Sequence, residues 1–322
     1  MQFSTGFPGV MRYPPEQFPP GERHWQDDLT TQDFQRIART AEDLGYDAIN
    51  VPEHLVMPKD LAPAMGAYWT DAFTVMSFIA GATTRLRVNS GVIVMPYHHP
   101  VQFAKAVATL DVLSGGRVML TLGAGMARGE FAALGVPFHR RGRVMDEYID
   151  AMKVLWTEDE PEFHGQFVDF ADVLFEPKPV QRPHPPLFIG GASMAALRRA
   201  ARVGDGWSPS GSQGGKGPWL NGVEDLPMFL EEARRVPGFA EREHRFGIAL
   251  TPTTVRFGPN HEPLPADRPL SSAEEIVDRI GQLRDAGVTW TSVVRPGPPP
   301  RSLDEYLDGL AWAAEEVIAK LR

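Results

Sequence analysis

Two short stretches carry residue types that can do chemistry. Glu53-His54 comes after Pro52, at the end of the run Tyr46–Val51, and Gly190-Gly191-Ala192-Ser193 follows Leu187-Phe188-Ile189. An imidazole titrates near neutral pH, so His54 suits proton transfer or a hydrogen bond to a reactive ring; the alternative is an ordinary loop histidine. A Gly-Gly-Ala-Ser turn before a helix lets backbone N–H groups approach an anion, and the helix dipole adds to the attraction. The same four residues fit equally well a helix cap made by Ser193. Ser90-Gly91-Val92 and Gly123-Ala124-Gly125 end two further apolar runs. Small residues at such ends let something broad and flat lie against the backbone, a signal for a large planar cofactor.

Other candidates point elsewhere. His98-His99 precede Pro100 without HExxH spacing or a nearby ligand cluster, which favours helix-start packing over a metal. Arg140, Arg141 and Arg143 fit a phosphate patch or a solvated helix start. Met57, Met65, Met76 and Met95 read as core and pocket lining. Neither the paired carboxylates of a hydrolase nor a nucleophile with its base stands out, and with no cysteine there is no disulfide or thiolate chemistry.

These residues need elements to hold them. Val88, Val92, Ile93 and Val94 form a β-branched run without helical period, a strand covered on both faces. Phe103, Val107, Leu110 and Leu113 recur at spacings of three and four over Val101–Leu113, which predicts a helix stopped by Ser114-Gly115-Gly116. VMLTLGAG then makes the next strand, completing a parallel βαβ unit. Strands at Gln2–Phe7, Tyr46–Val51, Leu187–Ile189, Asp205–Ser208, His244–Val255 and Val288–Val294 continue the rhythm. Helices are predicted at Asp33–Leu44, Asp71–Ala80, Arg128–Leu134, Gly142–Trp156, Met194–Val203, Val223–Val236, Ser272–Ala286 and Leu303–Leu321. Met11–Asp28 and the stretch SPSGSQGGKGP read as loops. Eight strands alternating with helices predict a (β/α)8 TIM barrel, one domain over 1–322, with an insertion at about 158–186 between the fourth and fifth βα units. No GxGxxG follows the first strand, which weakens a dinucleotide-binding fold.

Composition bounds the partners. A net charge of −9 without a basic run argues against nucleic acid and anionic membrane surfaces. MQFSTGFPGV has neither a basic nor an apolar leader region, and no apolar run approaches the length of a membrane span. The expectation is a cytoplasmic enzyme acting on a small molecule.

Three stretches together resemble the bacterial luciferase-like monooxygenase superfamily, within it most closely the coenzyme F420-dependent oxidoreductases. They are SGVIVMPYHHPVQFAKAVATLDVLSGGRVMLTLGAG, GEFAALGVPFHRRGRVMDEYIDAMKVLW and FEPKPVQRPHPPLFIGGASMAALRRAARVGDGWSP. The resemblance implies a TIM barrel binding a deazaflavin or flavin at the carboxyl ends of its strands, a homodimer, and hydride transfer with a small organic substrate. It implies a non-proline cis peptide at Ser90-Gly91 or, by preference, Gly91-Val92, supporting the middle ring of the cofactor. It maps a phosphate loop onto Gly190, Gly191, Ala192 and Ser193, and places Ser90, Gly91, Val92, Gly123 and Gly125 along the cofactor. It gives Glu53 and His54 the catalytic positions facing the ring. Arg141 becomes structural or near the cofactor tail. F420-dependent glucose-6-phosphate dehydrogenases carry a glutamate where this chain has Met126, which speaks against that activity. An FMNH2/O2-dependent monooxygenase and a non-catalytic cofactor-binding paralogue are the alternatives. Phe7, Met57, Trp69, Met126 and Trp207 form an expected apolar lip.

Overall fold

The computed structural model describes residues 1–12, 24–209, 220, 223–252 and 270–322. Parts of three predicted segments, the loops Met11–Asp28 and SPSGSQGGKGP and the strand His244–Val255, lie outside the described residues. Eight strands form the path of one sheet, β1 Gln2–Gly6, β2 Ala48–Val51, β3 Arg87–Ser90, β4 Val118–Gly123, β5 Leu187–Gly190, β6 Gly206–Ser208, β7 Gly247–Ile248 and β8 Trp290–Ser292, and a ninth short strand, Ile93–Val94, pairs with β4 off that path. Along the path the order is β7-β6-β5-β4-β3-β2-β1-β8. A parallel bridge between Ala249 and Trp290 joins the two ends of that order. Each strand is followed by a helix, at Thr31–Asp43, Ala72–Ala82, Pro100–Ser114, Arg141–Thr157, Met194–Val203, Leu226–Arg234, Ala273–Asp285 and Leu303–Ala313. This is the (β/α)8 TIM barrel that the rhythm predicts.

The chain divides into two compact units, Phe7–Ala38 with Asn50–Leu187, and Met1–Gly6 with Arg39–Ile49 and Phe188–Arg322. In the first, all six residues of β4 are buried, as a strand covered on both faces requires. The helix Pro100–Ser114 starts with proline in its first turn, where the missing N–H costs nothing, and stops at Gly115 with φ +69°. Arg141–Thr157 buries Val144, Met145, Ile149, Met152, Leu155 and Trp156 on one side. The insertion contains an antiparallel pair, Phe163–His164 with Asp169–Phe170. The Glu147 carboxylate fastens its turn by accepting N–H groups of Gln166, Phe167 and Val168 at 2.9, 2.5 and 2.8 Å.

In the second unit, β1 pairs with β8 in parallel register, Phe3 opposite Thr291. Trp207 is fully buried and stacks on Phe229, ring centroids 5.4 Å apart. Ser272 caps its helix by accepting the Glu275 N–H, while the Glu275 carboxylate takes the N–H of Ser271. Predicted strands are longer than those formed: His244–Arg245 belong to a 3-10 turn, and β8 ends at Ser292.

Candidate active site

At the carboxyl end of β2 the chain presents two acid–histidine pairs. Glu53 and His54 are neighbours in sequence, but each side chain finds its own partner, His98 for Glu53 and Glu130 for His54. Glu53 is 4% exposed. One of its oxygens lies 2.8 Å from His98 Nε2 and the other accepts the Val94 N–H at 2.8 Å. His98 also stacks on Phe103, centroids 5.0 Å apart. The histidine read from sequence as helix-start packing is thus the partner of a buried carboxylate.

His54 turns to Glu130, on the short helix Arg128–Ala133. Its Nδ1 lies 2.8 Å from Glu130 Oε2. That oxygen also accepts the Tyr97 hydroxyl at 3.1 Å, and Oε1 accepts the N–H groups of Leu55 at 2.9 Å and Val56 at 3.4 Å. Glu130 is fully buried. Burial pushes its carboxyl pKa up, but the hydrogen bond and charge of His54, the Leu55 N–H and the Tyr97 hydroxyl outweigh it and hold the value below the ordinary one. Burial, then the charge of Glu130, raises the Tyr97 phenol well above its usual value.

These partners fix the tautomer of His54. An ionised carboxylate can only accept, so Nδ1 carries the hydrogen and Nε2 of the neutral ring is the acceptor. The ring also meets Trp69 in a T-shaped contact, centroids 4.6 Å apart and planes at 68°. A buried carboxylate orienting an imidazole whose second nitrogen can accept is the arrangement of a general base, or of a hydrogen-bond partner for a ring N–H.

Beside this pair lies the Ser90–Val94 turn. The Gly91-Val92 peptide is cis, at the position preferred from the resemblance, and the Gly91 N–H donates to Val51 O at 2.7 Å. The Ser90 hydroxyl is committed to β4: it donates to Thr121 O at 2.8 Å and accepts the Thr121 N–H at 2.9 Å. Gly123 and Gly125 have a packing reason of their own. A Cβ on Gly123 would lie 2.8 Å from Val92 Cγ2, and one on Gly125 (φ +81°) 2.6 Å from Val94 Cγ1. The room that these glycines leave is filled by the two valines. Arg141 donates to Gly125 O at 3.1 Å and to Phe138 O at 3.1 Å, and lies over the Phe138 ring, so it anchors the glycine loop.

Gly190–Ser193 lies in the other unit. Gly191 has φ +115°, its N–H donates to Ser208 O at 2.9 Å, and its carbonyl accepts Trp207 Nε1 at 2.8 Å. Ser193 is the N-cap of Met194–Val203, accepting the Ala196 N–H at 3.2 Å. Of the expected apolar lip, Phe7 and Trp207 are buried, Met57 and Trp69 are half-buried, and Met126 is 53% exposed. Among the described residues, no group of three or more His, Asp or Glu could hold a metal ion, and no helix is long and apolar enough to cross a membrane.

Glu130 and Tyr97 are the residues that sequence reasoning missed, and His98 is one it read as helix-start packing. The family model for luciferase-like monooxygenases matches residues 15–241. The chain belongs to this family. It is 30% identical over 302 residues to an uncharacterised protein of Mycobacterium tuberculosis, covering 88% of this chain and 94% of that one. An FMNH2-dependent dimethylsulfone monooxygenase of Pseudomonas putida is 39% identical over 167 residues, 51% of this chain and 43% of the relative. The coenzyme F420-dependent tetrahydromethanopterin reductase of Methanopyrus kandleri superposes with a TM-score of 0.70 at 15% identity, over 100% of this chain and 99% of that one. At that identity the superposition shows the fold alone. The family's enzymes are oxidoreductases and monooxygenases acting on small organic molecules; a relative by sequence is named for FMNH2 and a neighbour in fold for coenzyme F420.

Proposed function

We propose that the chain is an oxidoreductase that moves a hydride between coenzyme F420 and a small organic substrate held over the deazaflavin ring. The observation that carries this reading is His54, fixed on buried Glu130 with Nε2 left as an acceptor. The donor set fits such a cofactor: an imidazole nitrogen for a polar ring edge, the Gly91-Val92 backbone for its flat face, and, as a separate proposal, the Gly190–Ser193 turn for phosphate. When bound, reduced deazaflavin supplies the two electrons and the hydrogen of a hydride. His54 Nε2 holds or passes the accompanying proton, and Glu130 stabilises the imidazolium that results. The Trp69 edge holds the imidazole plane, and Tyr97 and the Leu55 N–H keep the carboxylate still. The resemblance further supports a homodimer in the cytoplasm; light scattering at the mass of one chain would remove the dimer.

A second reading, a monooxygenase using FMNH2 and O2, is favoured by the 39% identity to the dimethylsulfone enzyme. Parallel titrations of the purified protein with F420 and FMN, followed by fluorescence and absorbance, decide between them. Micromolar F420 binding supports the first reading, and micromolar FMN binding without F420 binding overturns it. Tight binding with no turnover across a broad substrate panel would instead identify a non-catalytic paralogue.

A further inference from the structure

We infer that Glu53 is a positioning residue: with His98 it forms a latch that holds the Val92–Val94 segment against Gly123, at the end of β4, and Gly125 just beyond it. This rests on the reading of Ser90–Val92 as cofactor support, but its geometry stands without it. The Glu53 carboxylate is 4% exposed, and each of its oxygens is engaged, one by the Val94 N–H and one by His98 Nε2, each at 2.8 Å. At that burial the carboxylate offers almost no surface to a substrate. On the other side of the segment, Val92 and Val94 fill the space beside Gly123 and Gly125. The segment is therefore held on β4 by the parallel pairing of Ile93 and Val94 with Leu122 and Gly123 and by its valines, and tied to the end of β2 by one carboxylate. His98, one-fifth exposed, holds that carboxylate in place from its other oxygen. In sequence, Glu53 and His54 look like one acid–histidine pair; in the fold, one serves the backbone under the cofactor and the other the chemistry.

Two measurements test this. In the cofactor-free protein, hydrogen exchange at the Val94 amide is expected to accelerate in Glu53→Ala and in His98→Ala, while the Leu55 amide, held by Glu130, keeps its wild-type rate. His98→Gln, whose side-chain amide can still donate to Glu53, restores protection. In the holoenzyme, Glu53→Gln and His98→Ala are expected to weaken binding of F420 (or FMN, whichever wild type binds) about tenfold, with kcat at saturating cofactor within about twofold. His54→Ala gives the reverse pattern, with Kd kept and kcat lost. Unchanged Val94 exchange in Glu53→Ala overturns the latch. So does a Glu53→Gln enzyme with normal Kd and the kcat loss of His54→Ala. Failure of wild type to bind either cofactor would overturn the functional reading, while the exchange measurement would still judge the latch.

Discussion

Replacing Glu130 by glutamine keeps the size of the side chain and reverses the logic of the site. In the native structure the carboxylate accepts four hydrogens, from the Leu55 and Val56 amides, the Tyr97 hydroxyl and His54 Nδ1. A glutamine has one oxygen and one NH2. With the oxygen on the two amides, the NH2 faces Tyr97 and His54. Nδ1 must then accept, and the hydrogen moves to Nε2, so the imidazole presents a donor where it presented an acceptor. Loss of a base by this route costs about 10²–10⁴ in kcat. Loss of the charge-assisted bond costs about 1.5–3 kcal/mol of stability. The sign with pH follows from the lowered carboxyl pKa. Glu130 contributes stability above its unfolded value, near the ordinary 4.5, and loses it as pH falls through the lower folded value. The Tm advantage of wild type over Glu130→Gln is therefore full at neutral pH and shrinks below about pH 4.5. Nitrogen-15 spectra of the histidine rings read the tautomer directly, and thermal melts read the stability. A His54 that keeps its hydrogen on Nδ1 in the variant, or a Tm gap that widens in acid, would refute this reasoning.

Other outcomes follow from single contacts. Tyr97→Phe removes one of the donors to Glu130 and is expected to cost about 1 kcal/mol in denaturant melts, with the His54 tautomer unchanged. Gly125→Ala must seat a Cβ 2.6 Å from Val94 Cγ1 at φ +81°; a loss of more than about 2 kcal/mol is expected in the same melts. Gly165→Ala puts a Cβ 2.2 Å from the Glu147 carboxylate; it should speed amide exchange at Gln166–Val168 and leave cofactor affinity unchanged. Ser193→Ala removes the cap on Ala196 and is expected to lower stability by about 1 kcal/mol. A larger fall in cofactor affinity than in stability would mark Gly190–Ser193 as a phosphate site.

Much of the barrel was legible because its code is local. The β-branched run before Pro96 and the Phe103–Leu113 spacing are each properties of a few adjacent residues; the helix forms where expected, while the run forms two short strands, Arg87–Ser90 and Ile93–Val94, broken at Gly91-Val92. The strand ends were also readable, which put His54 among the candidates. The partners were not, because they depend on the course of loops. Glu130 stands in a sequence, Arg128–Ala133, that looks like an exposed helical turn; its burial arises because the loop after His54 folds down onto it. Nothing local to Glu53-His54 announced that the two side chains would take separate partners, Glu53 with His98 and His54 with Glu130. Gly123 and Gly125 carry a further reason that the sequence did not show: a Cβ at either would collide with side chains already packed there, Val92 at Gly123 and Val94 and Phe131 at Gly125.

The most direct measurement is a crystal structure of the protein with F420 bound. The account predicts His54 Nε2 within hydrogen-bond distance of a polar edge of the ring, about 2.7–3.2 Å, with the middle ring lying on Gly91-Val92 and Glu53 still on Val94. A ring bound away from His54, with its nearest polar contacts made by other side chains, would contradict it.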